Sequence, residues 1–159
     1  MYMVGLIDDI YDLRPYLKLA GQIVAALIVT FYGITIDFIS LPIGPTIHFG
    51  IFSIPITVIW IVAITNAINL IDGLDGLASG VSALALMTIG FIAILQANIF
   101  IIMICCVLLG SLLGFLFYNF HPAKIFLGDS GALMIGFIIG FLSLLGFKNI
   151  TFIALFFPI

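Results

Sequence analysis

Glutamate is absent from this chain of 159 residues, and lysine and arginine together number only four. Four cations cannot make a surface that tracks a phosphate backbone, which excludes nucleic acid as a partner. Charged residues of every kind make up 7% of the chain, against roughly 25% in an ordinary soluble domain. Hydrophobic residues make up 65%. A soluble fold of this size has too little interior to hide so much apolar surface, so lipid must be the solvent for most of it. Cysteine is nearly absent too. Cys105 and Cys106 are adjacent inside an apolar run, where neighbours on one helix cannot form a relaxed disulfide. They read as packing residues and report no redox compartment. No secretory signal pattern precedes the first polar residues. The last apolar run, from Ile150, has about half of the roughly 20 residues that a span needs, which predicts a piece of a longer protein.

What polarity there is lies in three islands. All seven acidic residues are aspartates, and six of them fall there. The first island carries Gly5, Asp8, Asp9 and Asp12. The second carries Asn66, Asn69, Asp72, Gly73, Asp75 and Gly76. The third runs from Asn119 through His121, Lys124, Phe126 and Gly128 to Asp129, Ser130 and Gly131. A charge at the bilayer centre costs roughly 2.5–3.5 kcal/mol even on mild scales, so such residues mark function. Clustered carboxylates repel one another unless a cation or a raised pKa relieves them.

The uncharged runs between the islands predict an all-α, polytopic membrane bundle with five full spans and the start of a sixth. The spans are expected over 19–36, 51–70, 79–96, 99–118 and 131–147, with the incomplete one over 150–159, all in a single membrane domain over 1–159. Loops are expected around 41–45, where two prolines fall, at Gln96–Asn98 and at 148–149. A β-barrel would alternate polar and apolar residues, a pattern this chain lacks. Two spans separate the first island from the second, and two more separate the second from the third. An even number of crossings returns a chain to the same face, so all three islands are expected on one side of the membrane. Arg14, Lys18 and Lys124 share that side and only Lys148 lies opposite, which assigns the islands to the cytoplasm by the positive-inside rule.

Each island admits a plain reading and a chemical one. Asp8 and Asp9 diverge by about 100° on a helix and either cap it with Asp12 or face one pocket at its end. Asn66, Asn69, Asp72 and Asp75 recur every three residues and share a helix face. They either bond across helices or line a polar cavity. Asp129 precedes an apolar helix, which it either caps or completes as a site. The free amides of that helix start favour an anion such as a phosphate, and a carboxylate beside them suits Mg²⁺. Phe126 is either lipid-anchored or stacks on a flat ring. His48 reads as an interfacial residue, and His121 either contacts substrate or merely sits in its loop. Together these features suit Mg²⁺-assisted transfer of a phosphorylated group to or from a membrane lipid. A cation-coupled transporter would instead place its Asp and Asn near the bilayer midplane, and an intramembrane aspartyl protease would need two facing Asp within helices.

On the residues Asp8-Asp9 with Asp12, Asn66-Ala-Ile-Asn69-Leu-Ile-Asp72-Gly73-Leu-Asp75-Gly76-Leu-Ala78, and Asn119 to Gly131, the chain resembles the polyprenyl-phosphate N-acetylhexosamine-1-phosphate transferases. The resemblance covers essentially the whole chain. It implies a bacterial cytoplasmic-membrane enzyme that moves a sugar 1-phosphate from a UDP-sugar to undecaprenyl phosphate and releases UMP, as the first membrane step of a cell-wall polymer. It implies Mg²⁺, or Mn²⁺ in its place, at Asp129. Asp8 would activate the lipid phosphate or act as base, with Asp9 in support. Asn69, Asp72, Gly73, Asp75 and Asn119 would line the nucleotide-sugar pocket, with Phe126 on the uracil. A homodimer is compatible with the resemblance. The acidic Asp12 fits the N-acetylglucosamine branch and UDP-GlcNAc as donor; the phospho-MurNAc-pentapeptide branch, which tends to carry Lys there, is the alternative. The chain carries neither the His-rich cytoplasmic loop of the family nor the region ahead of the Asp pair, which puts the activity of the chain alone in doubt.

Overall fold

The computed structural model describes residues 1–40 and 46–147. A short helix α1 (Tyr2–Tyr11) ends at Asp12, whose left-handed backbone turns the chain. Pro15 then opens α2 (Pro15–Phe31), using the first helical position, where a missing N–H costs nothing. After α2 come two three-residue strands, β1 (Phe38–Ser40) and β2 (Thr46–His48), paired antiparallel with Ile39 opposite Ile47. The Phe49 amide closes this pair by donating to the Asp37 carbonyl at 3.0 Å. A single 3₁₀ turn (Gly50–Phe52) leads into α3 (Ser53–Ile71), followed by α4 (Leu77–Leu95), α5 (Ile99–Asn119) and α6 (Gly128–Phe147).

Among the described residues, four helices are long and apolar enough to cross a membrane: Gly50–Ile71, Leu77–Leu95, Ile99–Asn119 and Gly128–Gly146. The helix bundle the sequence implies is present in these. The first apolar run, expected as a span over 19–36, forms a shorter apolar helix at Pro15–Phe31, with 17 residues, about 25 Å of helix. The helix stops early because Gly33 takes a positive φ of 78°. The expected turn at Gln96–Asn98 is found, with the Asn98 side chain accepting from the Ile101 amide at 3.3 Å to cap α5. In place of an irregular segment after Asp37 stands the β1–β2 pair, where His48 lies 5.7 Å from the Phe38 ring. The expected loops at 41–45 and 148–149 and the expected run over 150–159 lie outside the described residues.

Helix α6 is the hub. It packs on α1, α3 and α4, while α2 leans on α3 and α5 on α4. The core between α4, α5 and α6 is hydrocarbon, centred on Leu86, Ile89, Ile101, Leu112, Ile139 and Leu142, and Cys105 belongs to it. Small residues carry the closest approaches. A Cβ on Gly136 would come within 2.9 Å of the Thr65 Cα, so α6 lies almost backbone to backbone on α3 there. A Cβ on Gly5 would overlap the Ser130 Cα and the Asp129 carbonyl, so α1 meets α6 just as closely at the polar end. This second contact brings the first island to the third.

Candidate active site

The Asp pair divides its work as the 100° rotation between neighbouring helical residues requires. Asp8 turns inward and is 4% exposed. Its Oδ2 lies 2.5 Å from the Lys18 ammonium, and its Oδ1 accepts from the Leu13 amide at 2.9 Å. Burial pushes the Asp8 carboxyl up, but its polar neighbours Asp129, the Lys18 ammonium and the Leu13 amide outweigh it and hold it below the usual range. Asp9 faces the other way, onto the start of α6. The Asp129 and Ser130 amides donate to its two oxygens at 2.9 and 3.0 Å. Burial and the Asp129 charge push Asp9 up, while the Ser130 hydroxyl and these two amides together hold it down. The helix start that the sequence offers to a phosphate is thus occupied by a carboxylate of the chain itself. Gly128, at φ 69°, lets that carboxylate approach; a Cβ there would lie 3.3 Å from both Asp9 oxygens.

With Asp9 as the cap, Asp129 is freed from that duty. One of its oxygens accepts from the Asn69 side-chain amide, and the other lies 3.4 Å from Lys18 Nζ. Asp72, at the end of α3, sits close enough to Asp129 and Asp9 to feel both charges. Burial first, then those two carboxylates, raise its pKa to about 6, against a hydrogen bond from the Gly128 amide. Four of the expected site residues around one end of α6 (Asp8, Asp9, Asn69 and Asp129) therefore form one connected group, with Asp72 at its edge. Lys18, which the sequence reading used only as a topological charge, is the cation at its centre.

The remaining expected residues serve the loop between α5 and α6. Asp75 accepts from the Ala123 amide at 3.1 Å, and His121 Nδ1 lies 2.9 Å from the same oxygen. The Ala123 amide first, then His121, keep the Asp75 carboxyl below its ordinary value. Asn119 is buried; it donates to the Ile125 carbonyl at 2.9 Å and accepts from Ser79 at 2.7 Å. Gly73 lies in the open turn after α3, with room for a side chain. Phe126 is 74% exposed on the same loop. Among the described residues, no three Asp, His or Cys side chains are placed to hold one metal ion between them.

The family model described as "Glycosyl transferase family 4" matches residues 1–147. The chain belongs to glycosyl transferase family 4. Among its relatives is a probable undecaprenyl-phosphate N-acetylglucosaminyl 1-phosphate transferase of Bacillus subtilis (strain 168), 46% identical over 159 residues, covering 99% of this chain and 44% of that protein. Phospho-N-acetylmuramoyl-pentapeptide-transferases also match. That of Streptococcus thermophilus (strain CNRZ 1066) is 38% identical over 152 residues, covering 89% of this chain and 45% of the relative. That of Campylobacter jejuni (strain RM1221) is 34% identical, covering 96% and 52% respectively. The chain thus spans about half the length of these relatives.

The charge at Asp72 makes a pH prediction for this glycosyl transferase family 4 chain. An aspartate of ordinary pKa 3.8 releases its proton in the unfolded chain well before the folded one does near 6. Between those values the folded state binds the extra proton, so raising pH through the window lowers stability. Asp72→Asn should therefore raise the thermal midpoint in detergent at about pH 7 and leave it unmoved below about pH 4. An equal gain at both pH values would show that packing, and not charge, sets the effect.

Proposed function

We propose that this chain is the central catalytic part of a longer membrane transferase that moves a sugar 1-phosphate from a UDP-sugar to undecaprenyl phosphate and releases UMP. The observation that carries this reading is the convergence of Asp8, Asp9, Asn69, Asp72 and Asp129 around Lys18 at one end of a bundle of spanning helices. Family membership and the printed names of the relatives support the same chemistry. A lipid phosphate anchored in the bilayer can reach the bundle end only near the membrane surface, where these residues lie. The cluster faces the cytoplasm in this reading, since Arg14, Lys18 and Lys124 lie at the same end.

The residues fit Mg²⁺, or Mn²⁺ in its place. Their donors are hard oxygens, and Asp72 carries negative charge that the protein itself leaves uncompensated. Mg²⁺ commonly takes one or two carboxylates and completes its shell with water and substrate phosphates, so Asp129 with Asp72 beside it is sufficient. A cation held there would supply neutralisation of the charge that develops on the transferred phosphoryl group. The chain supplies the positioning. Asn69 and Lys18 fix the Asp129 carboxylate, Asp9 fixes the start of α6, and Asp8 and Asp9 border the place where the lipid phosphate arrives. Gly73, Asp75, Asn119 and Phe126 would stand on the nucleotide side, Phe126 on the loop that Asp75 and Asn119 anchor.

UDP-GlcNAc is the donor we favour, on the acidic Asp12 and the 46% identity to the B. subtilis protein. UDP-MurNAc-pentapeptide is the second reading, because relatives of that name match too. The test is UMP release by the full-length protein in membranes, with undecaprenyl phosphate, Mg²⁺ and each donor in turn. Release from UDP-GlcNAc that requires the lipid is the expected result. Release from the pentapeptide donor alone would reverse the choice of sugar, and none from either in folded protein would overturn the transferase reading.

A further inference from the structure

One turn deeper in the membrane than the aspartate cluster lies a polar contact that the transfer chemistry does not use. Gln22 of α2 is 1% exposed. Its side chain donates to Asn66 Oδ1 of α3 at 3.2 Å and accepts in return from Asn66 Nδ2 at 2.5 Å; the same Nδ2 also donates to the Val62 carbonyl at 2.8 Å. Two amides meeting head to head in this way give each other a donor and an acceptor inside an apolar bundle, a fit specific to this helix register.

The register of this contact is what matters. Lys18 stands four residues before Gln22 on α2, and Asn69 stands three residues after Asn66 on α3. Both spacings put the pair members on one helix face, a turn apart. Lys18 and Asn69 are the two side chains that hold Asp129, one on each oxygen. We propose that the Gln22–Asn66 pair is a positioning device, which locks α2 against α3 so that Lys18 and Asn69 grip Asp129 from opposite sides. Gln22 and Asn66 are positioning residues in this scheme, since they act on Asp129 through Lys18 and Asn69. A slip of one helix along its axis by a single turn, about 5.4 Å, would withdraw one of the two holds.

The proposal rests on the transferase reading for its consequence in catalysis, but its structural core is tested separately. In the full-length protein we would compare wild type, Gln22→Leu, Asn66→Leu and the reciprocal exchange Gln22→Asn with Asn66→Gln, which keeps both amides and their combined length. Hydrogen exchange read by mass spectrometry over residues 127–131 should rise several-fold in each leucine variant and return towards wild type in the exchange variant. Exchange in α4 and α5 should stay unchanged, which separates local release from general unfolding. For UMP release per folded molecule, kcat should fall about tenfold or more while KM for the UDP-sugar changes less than about threefold, the pattern of a group misplaced in the transition state. Unchanged exchange over 127–131 in folded leucine variants would overturn the proposal, as would exchange that rises equally throughout the bundle. If wild type itself releases no UMP, the transferase reading fails, and the exchange measurement still decides whether the amide pair positions Asp129.

Discussion

Lys18→Met should destabilise the protein by about 1–3 kcal/mol, the cost of leaving a buried acceptor without its partner; Lys18 itself is only partly buried. The Asp8 side chain is 2% exposed and Lys18 is the cation beside it, at 2.5 Å. Methionine keeps most of the apolar stem and removes only the charge, so lost packing contributes little. The expected sign of a second change makes the argument specific. Asp8→Asn alone leaves Lys18 with Asp129 and should cost less. Asp8→Asn combined with Lys18→Met removes both charges and should recover most of the loss. Thermal unfolding in detergent, followed by loss of monodisperse protein, reads all three. A double variant no better than Lys18→Met would place the loss in the lysine stem.

Asp129→Asn should lower kcat for UMP release by about 10²–10³-fold in the proposed transfer, the range seen when one preorganised electrostatic group is lost. The change keeps the shape and an oxygen for Asn69 while removing the charge. It also lifts one of the two carboxylate repulsions on Asp72, so the protein should fold at least as well as wild type near neutral pH. A fall in activity without a fall in stability is therefore the signature. Activity above half of wild type would remove Asp129 from the metal site.

Much of this arrangement was legible in the chain itself, because charge is so costly in lipid. With seven acidic residues and no glutamate, the polar islands had to mark span ends, and counting crossings brought them to one face. The structure joins them there: Asp9 reaches the start of α6, and Asn69 reaches Asp129. The details that escaped are contacts between elements distant in sequence. Nothing around Lys18 distinguishes a site cation from a topological charge until Asp8 and Asp129 are seen on either side of it. The amides at the start of α6 looked free because the group that fills them belongs to a helix 120 residues earlier. Gln22 fell inside an apolar run, and nothing on its own helix points to its partner in α3. The early end of α2 depends on the backbone angle of Gly33, which composition does not reveal.

The tie between Asp9 and the Asp129 and Ser130 amides has a consequence in time. Its partners are separated by 120 and 121 residues. At about 5–20 residues per second of synthesis, α1 waits roughly 6–24 s after it is made before α6 exists to receive it. During that interval Asp8 and Lys18 have each other, but Asp9 has neither of its amides. The cluster is consequently completed only when α6 arrives. A chain interrupted before Gly128 would carry most of its aspartates and no assembled site.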